Sequence, residues 1–262
     1  MSADRESWSK HLAQALHTLP GPGRAQSRRR VAVAAAATVL LAALVAVMAA
    51  RRGAPFLFDS AVHRWALSGR SLPWTAAARR ITFTGTGAPP YALAAVAGAL
   101  ASSTRTRWWR GALVGVLALA LAEAIRVTLA TLLARPRPPR EDWATAASGS
   151  ALPSGHTTTS ALVAIGLAAA ALGYCHRWWT RLLACAVPAL WAVGVGASRV
   201  YLGVHWPTDV LAGWLLAIAL ACASMPHLRA LVRRLTTTLP TSAARQDNDG
   251  YSDSAAGHPP PH

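Results

Sequence analysis

Three short stretches of the chain combine residue types that can hold and attack a phosphate. In the last of them, Ser198-Arg199 is followed by His205 and then, four residues on, by Asp209. Pro207, between the two, suits the first turn of a helix. Side chains at i and i+4 share a helix face, so the Asp209 carboxylate can approach the His205 imidazole. A carboxylate bonded to one ring nitrogen fixes the tautomer and leaves the other nitrogen free to attack. The same pair also fits a plainer role, an interfacial histidine held by its neighbour.

The second stretch is Pro153-Ser154-Gly155-His156, just before an apolar run. Ser154 is placed to be the N-cap of a helix, and glycine lets a ligand approach the backbone closely. Free amides at a helix start, with the dipole behind them, favour a bound phosphate. His156 could protonate a leaving alkoxide as general acid. An ordinary helix entry carrying a histidine is the alternative.

The third is Arg135-Pro136-Arg137-Pro138-Pro139-Arg140. Each proline removes an amide donor and restricts its predecessor, so the run cannot continue a helix. It ends a span and presents Arg137, and with it Arg135 and Arg140, from an extended loop. Guanidinium forks match phosphate oxygens and stabilise charge that develops in phosphoryl transfer. A basic loop that binds lipid headgroups has the same composition.

The elements that must position these residues are membrane spans. The chain has 262 residues, 53% hydrophobic and 14% charged, against about 25% charged in soluble domains. Its apolar residues gather in long blocks, the mark of a membrane protein. The pattern predicts an all-α fold: a six-span transmembrane bundle with spans near 31–50, 88–104, 111–134, 157–174, 182–198 and 207–225. One or two amphipathic helices between the first two spans, within 55–87, are expected to lie at the interface, given Phe56, Phe58, Trp65, Trp74 and Phe83 beside Asp59, Arg64, Arg79 and Arg80. Residues 1–30 are read as a disordered basic cytoplasmic tail, 31–230 as the transmembrane domain, and 231–262 as a disordered cytoplasmic tail. Val31–Ala50 also resembles a secretory or twin-arginine signal. Its length and the spans that follow favour a retained first span.

The formal net charge is +16, and 25 of the 26 basic residues are arginines. The clusters at 28–30, 105–110, 177–181 and 229–234 flank apolar blocks and act as topology signals, which places both termini in the cytoplasm. All three chemical stretches then lie at the outer ends of spans of a plasma-membrane protein. No basic surface interleaved with aromatics is present, so nucleic acid is not an expected partner. Membrane lipids are. Cys175, Cys185 and Cys222 lack metal-ligand spacing and are expected to pack in or beside spans. Oligomeric state is not legible.

In order and spacing the three stretches resemble the type 2 phosphatidic acid phosphatase family, whose motifs are Lys-x6-Arg-Pro, Pro-Ser-Gly-His and Ser-Arg-x5-His-x3-Asp. The second is intact at 153–156 and the third at 198–209, and the resemblance extends over about 55–225, including Phe58-Asp59. It implies that His205 becomes phosphohistidine, that Asp209 orients it and that His156 protonates the leaving group. It also implies that Arg137, Arg199, Ser154 and Gly155 hold the phosphate oxygens, without a metal or other cofactor. The implied substrate is a lipid phosphate or pyrophosphate, such as undecaprenyl pyrophosphate, phosphatidate or phosphatidylglycerol phosphate. Phosphate or headgroup transfer and silent lipid-phosphate binding are the alternatives. A vanadate haloperoxidase uses the same constellation, but as a soluble protein, and the spans argue against it.

The first motif is incomplete, because its lysine falls at Ala130. Arg126 is one turn earlier on the same face. It is expected to pair with Glu123 and to start roughly 16 Å of helix rise below Arg137, too deep for an outer site. Arg126 could still stand in for the lysine, but Arg135 or Arg140 is the better placed.

Overall fold

The structure, a computed structural model, describes residues 22–102 and 104–237. The remainder of both predicted tails lies outside the described residues. Among the described residues, eight α-helices run in the order α1 (Pro22–Ala50), α2 (Leu57–Ser68), α3 (Leu72–Phe83), α4 (Ala88–Leu100), α5 (Trp108–Leu133), α6 (Gly155–Ala171), α7 (Trp178–Tyr201) and α8 (Pro207–Thr236), with three short 3-10 turns. The fold is all-helical among the described residues, as the apolar blocks require. In lipid, a helix satisfies every backbone donor within its own segment.

Five helices among the described residues, α1, α5, α6 with its following turn, α7 and α8, are long and apolar enough to cross a membrane. The remaining expected span, 88–104, is shorter than its apolar block. Gly87 at φ 65° and the Pro89-Pro90 pair open α4, and it ends at Leu100 after 13 residues. That gives about 20 Å of rise against a hydrocarbon core of about 30 Å. Other boundaries also differ. The first helix starts at Pro22, so residues 22–30 of the predicted tail are helical, and α8 continues past the expected end to Thr236, through Pro226. Neighbouring helices tolerate such an interior proline by sheltering its unpaired carbonyl.

Small residues bring the bundle together. A Cβ on Gly98 would collide with the Gly111 carbonyl, and one on Gly115 with that of Ala94. Ala94-x3-Gly98 on α4 therefore lies directly on Gly111-x3-Gly115 of α5, the small-residue packing that spans use in place of a hydrophobic drive. On the outward faces of α5 and α7, Leu113, Leu117, Leu121, Leu182, Val187 and Leu190 are exposed, an apolar surface suited to lipid.

The segment 55–87 forms two helices, α2 and α3. Each exposes its aromatic side chains, among them Phe58, Trp65, Trp74 and Phe83, and buries a polar face with Asp59, His63 and Thr82. The buried faces are tied to the loop 134–154. His63 Nε2 meets Asp142 Oδ2 at 2.8 Å, Arg70 donates to the carbonyls of Asp142 and Tyr201, and Arg79 donates to that of Ala144. The loop itself turns back into the bundle. Ala151, Leu152 and Ser154 are buried, so α6 starts inside the helical framework.

Candidate active site

His205 sits in the short turn between α7 and α8. The turn tightens through Gly203 at φ 74°, where a Cβ would also strike the Asp142 carbonyl. Only glycine satisfies both constraints. Pro207 then opens α8, and Asp209, in its first turn, accepts the Trp206 amide at 2.8 Å. The same Oδ2 lies 3.4 Å from His205 Nδ1, an electrostatic approach longer than a well-formed hydrogen bond. The expected i,i+4 pairing is thus present, with Asp209 fully buried.

The other ring nitrogen faces Arg137, whose Nη1 is 2.8 Å from His205 Nε2. Arg137 is fixed by carbonyls, donating to Val204, Gly149, Ser148 and Ser150. Burial holds its pKa below the usual value, with Asp209 opposing and the Arg126 charge adding to the effect. Burial also lowers the His205 pKa to about 4, with Arg137 and Arg199 adding to the effect and Asp209 opposing it. His205 is therefore neutral near pH 7, with one ring nitrogen unprotonated.

Ser154 occupies the N-cap position of α6, although its hydroxyl makes no cap bond. It accepts instead from Thr157 Oγ1 at 3.0 Å, while the Ser154 amide donates to the Asp209 carbonyl at 3.2 Å. This bond docks the start of α6 on the start of α8. Gly155 and His156 follow in the first turn, and Arg199, His205, Arg137 and Arg126 are all close enough to act on the His156 charge. Arg199, buried on α7, is steadied by Nη1 donating to Thr82 Oγ1 at 3.0 Å, and its Nε has no partner. The fold thus assembles His205, Asp209, His156, Ser154, Gly155, Arg137 and Arg199 at one end of the bundle.

Arg135 does not join them. Its side chain is only 1% exposed, and it bonds Asp209 Oδ1 and Thr208 Oγ1 through Nη1, Asp59 Oδ2 through Nη2 and the Gly53 carbonyl through Nε. A guanidinium with all these donors engaged is a strut behind the site, not a phosphate ligand. Arg140 is exposed and stacks over Trp143 at 5.6 Å. Neither takes the place expected for the missing lysine. Arg126 does form the expected ion pair with Glu123. It is not too deep, however, since its guanidinium lies against Gly155. Arg126 is deep only relative to the end of α5, whereas the loop carries the start of α6 down to meet it.

Asp59 is the main member of this assembly that its local sequence does not announce. It is buried, accepts the Phe56 and Thr208 amides, and shares Arg135 with Asp209. A lone carboxylate in an apolar, aromatic helix was the available signal, since such a charge needs a buried partner.

Two histidines, an aspartate and several arginines thus gather at one end of a helical bundle, and its long apolar helices make this a multi-pass membrane protein. A family model of the PAP2 superfamily matches residues 111–233, and the chain belongs to that family. It is 32% identical over 151 residues to the decaprenylphosphoryl-5-phosphoribose phosphatase of Mycolicibacterium smegmatis, covering 56% of this chain and 75% of the relative. To phosphatidylglycerophosphatase B of Escherichia coli it is 38% identical over 82 residues, 29% of this chain, and the match spans 28% of that relative's length. The fold is similar to that of a transmembrane PAP2 type phosphatidylglycerolphosphate phosphatase from Bacillus subtilis. The TM-score is 0.60 at 24% identity, over 74% of this chain and 96% of that one.

Proposed function

We propose that the chain is a lipid phosphate phosphatase that works through a phosphohistidine on His205. The observation that carries this is the pairing of the two His205 nitrogens: Nδ1 faces the buried Asp209 carboxylate and Nε2 faces a guanidinium at 2.8 Å. Asp209 favours the tautomer with the proton on Nδ1, which leaves the Nε2 lone pair accepting from Arg137 until a phosphate takes that guanidinium. A phosphate drawn to Arg137 would be delivered to that lone pair. Nε2 bonds to phosphorus as the ester P–O bond breaks, and His156 gives a proton to the departing oxygen. Water, losing a proton to His156, then attacks the phosphohistidine, returning inorganic phosphate, free imidazole and the protonated acid. Arg199 and the Gly155 amide hold the non-bridging oxygens as charge develops, so the proposed route calls on no metal.

A lipid substrate fits the site's setting among spanning helices. Beside Thr208, an apolar groove between α2, α7 and α8, lined by Phe58, Val62, Trp65, Leu211 and Trp214, offers room for an acyl or prenyl chain. The relatives' names point to polyprenyl and glycerophospholipid phosphates. Undecaprenyl pyrophosphate, phosphatidate and phosphatidylglycerol phosphate are the substrates to compare. With α4 as a sixth, short span, α2 and α3 at the interface and the arginine clusters inside, both termini would be cytoplasmic and the site would face outward.

The test is phosphate release by the purified protein in detergent with EDTA, from each of the three lipids, beside His205→Ala. Release that His205→Ala abolishes is the expected result. Transfer to an added alcohol without free phosphate would make the chain a transferase, and binding without turnover would make it a lipid-phosphate binder.

A further inference from the structure

We infer that Arg126 is a phosphate ligand of this site, reaching the start of α6 from one turn below Ala130. The inference rests on the phosphatase reading only for the identity of the anion. A methyl group placed on the Gly155 α-carbon would lie 3.3 Å from Arg126 Cζ, 3.4 Å from Nε and 3.6 Å from Nη1. The guanidinium is therefore laid along the first turn of α6, where the amides of an anion site are free. Glu123 takes Nη2, and its other oxygen accepts from Thr159 Oγ1 at 3.3 Å. This braces the side chain from below and behind. Nε, on the Gly155 side, is buried with no protein partner, and a buried donor left unmade is costly.

The charges agree with the geometry. Arg126 is close enough to Arg137 for its charge to disfavour that of Arg137, and it also acts on His156. Asp209 offsets Arg137 although it is bonded to Arg135, and Glu123 pairs with Arg126. Three arginines, Arg126, Arg137 and Arg199, around two histidines are stabilised when a dianion enters between them. A phosphoryl group with three equatorial oxygens would have a guanidinium available for each.

The side chain at position 130 lies on the same face of α5, one turn nearer the loop. Ala130 is buried and carries no charge. The long side chain of Arg126 supplies from the lower turn what a lysine could supply from position 130. A lysine introduced there should take over when Arg126 is shortened.

Orthovanadate, which mimics phosphate in flight, provides the test, because its binding does not require turnover. Vanadate affinity and kcat/KM would be measured on purified wild type, Arg126→Ala, Arg126→Gln, Arg126→Lys and the double variant Arg126→Ala/Ala130→Lys. Arg126→Ala and Arg126→Gln are expected to weaken vanadate at least tenfold and to lower kcat/KM about 100-fold, the scale of losing one oxyanion donor. Arg126→Lys should fall between them and wild type, and the double variant should regain at least tenfold in vanadate affinity. Arg126→Gln keeps the stem and a donor for Glu123, so it reads the charge even where Arg126→Ala fails to fold. Vanadate affinity within twofold of wild type in a folded Arg126→Gln would overturn the inference. Loss of vanadate binding in that variant would sustain it even where wild type releases no phosphate from any lipid, an outcome that removes the phosphatase reading alone.

Discussion

Asp59 on α2 and Asp209 on α8 are held by one guanidinium, that of Arg135, and all three side chains are shut away from solvent. The carboxylate that faces His205 is thereby anchored to a helix outside the three chemical stretches. Asp59 also accepts the Thr208 amide at 3.0 Å and both approaches of the Thr208 hydroxyl. The start of α8, the loop after α5 and the start of α2 are thus fastened at one point.

Removing one member leaves an uncompensated charge in the interior. Asp59→Asn is expected to cost about 3–5 kcal/mol of stability and to lower kcat more than it raises KM, because Asp209 loses its strut. The double replacement Asp59→Leu/Arg135→Met should cost clearly less than the sum of its single changes. Thermal melting and steady-state kinetics of Asp59→Asn and of the four proteins of the Asp59→Leu/Arg135→Met cycle measure both; additive losses would mean the pair does not act as a unit.

The depressed pKa of His205 has a signed consequence. The imidazole is neutral when folded down to about pH 4, whereas in the unfolded chain it takes a proton near pH 6.5. Between these values the unfolded state binds more protons, so stability falls as the pH is lowered from about 6.5 to 4, by about 3 kcal/mol in all. Melting temperature against pH in detergent, with His205→Gln alongside, tests this. The variant should lose less on acidification, and identical slopes would mean that His205 does not titrate in this window.

Arg137 meets four carbonyl groups as well as His205. An ammonium group cannot reproduce that planar fork. Arg137→Lys is expected to lower kcat/KM by about 100-fold with little change in the helical circular dichroism signal. Activity within threefold of wild type would show that charge alone suffices there.

Gly203 has both a positive φ and the Asp142 carbonyl where a Cβ would go. Gly203→Ala should cost about 1–3 kcal/mol through strain and shift the His205 ring from Arg137. The expected readout is a lower melting temperature with a fall in kcat of tenfold or more. Unchanged kcat would mean that the turn adjusts without moving the ring.

Much of this protein could be read in one dimension. Runs of apolar residues determine helices because lipid leaves the backbone no other partner. His205 with Asp209, and Ser154-Gly155 before a run, are local patterns whose geometry follows from the helix repeat itself. What the linear pattern could not decide was where each charge ends up. Arg135 and Arg137 stand two residues apart in the same proline-rich run, yet one becomes a strut between Asp59 and Asp209 and the other meets His205. Asp59 acquires its partners only when α2 folds onto α8. Arg126 comes level with Gly155 only because the loop 134–154 descends before α6 begins. Side-chain reach is a few ångströms, so the depth at which two helices start relative to each other determines which arginine meets the site. That offset is set by loop burial and helix packing, quantities that exist only in three dimensions.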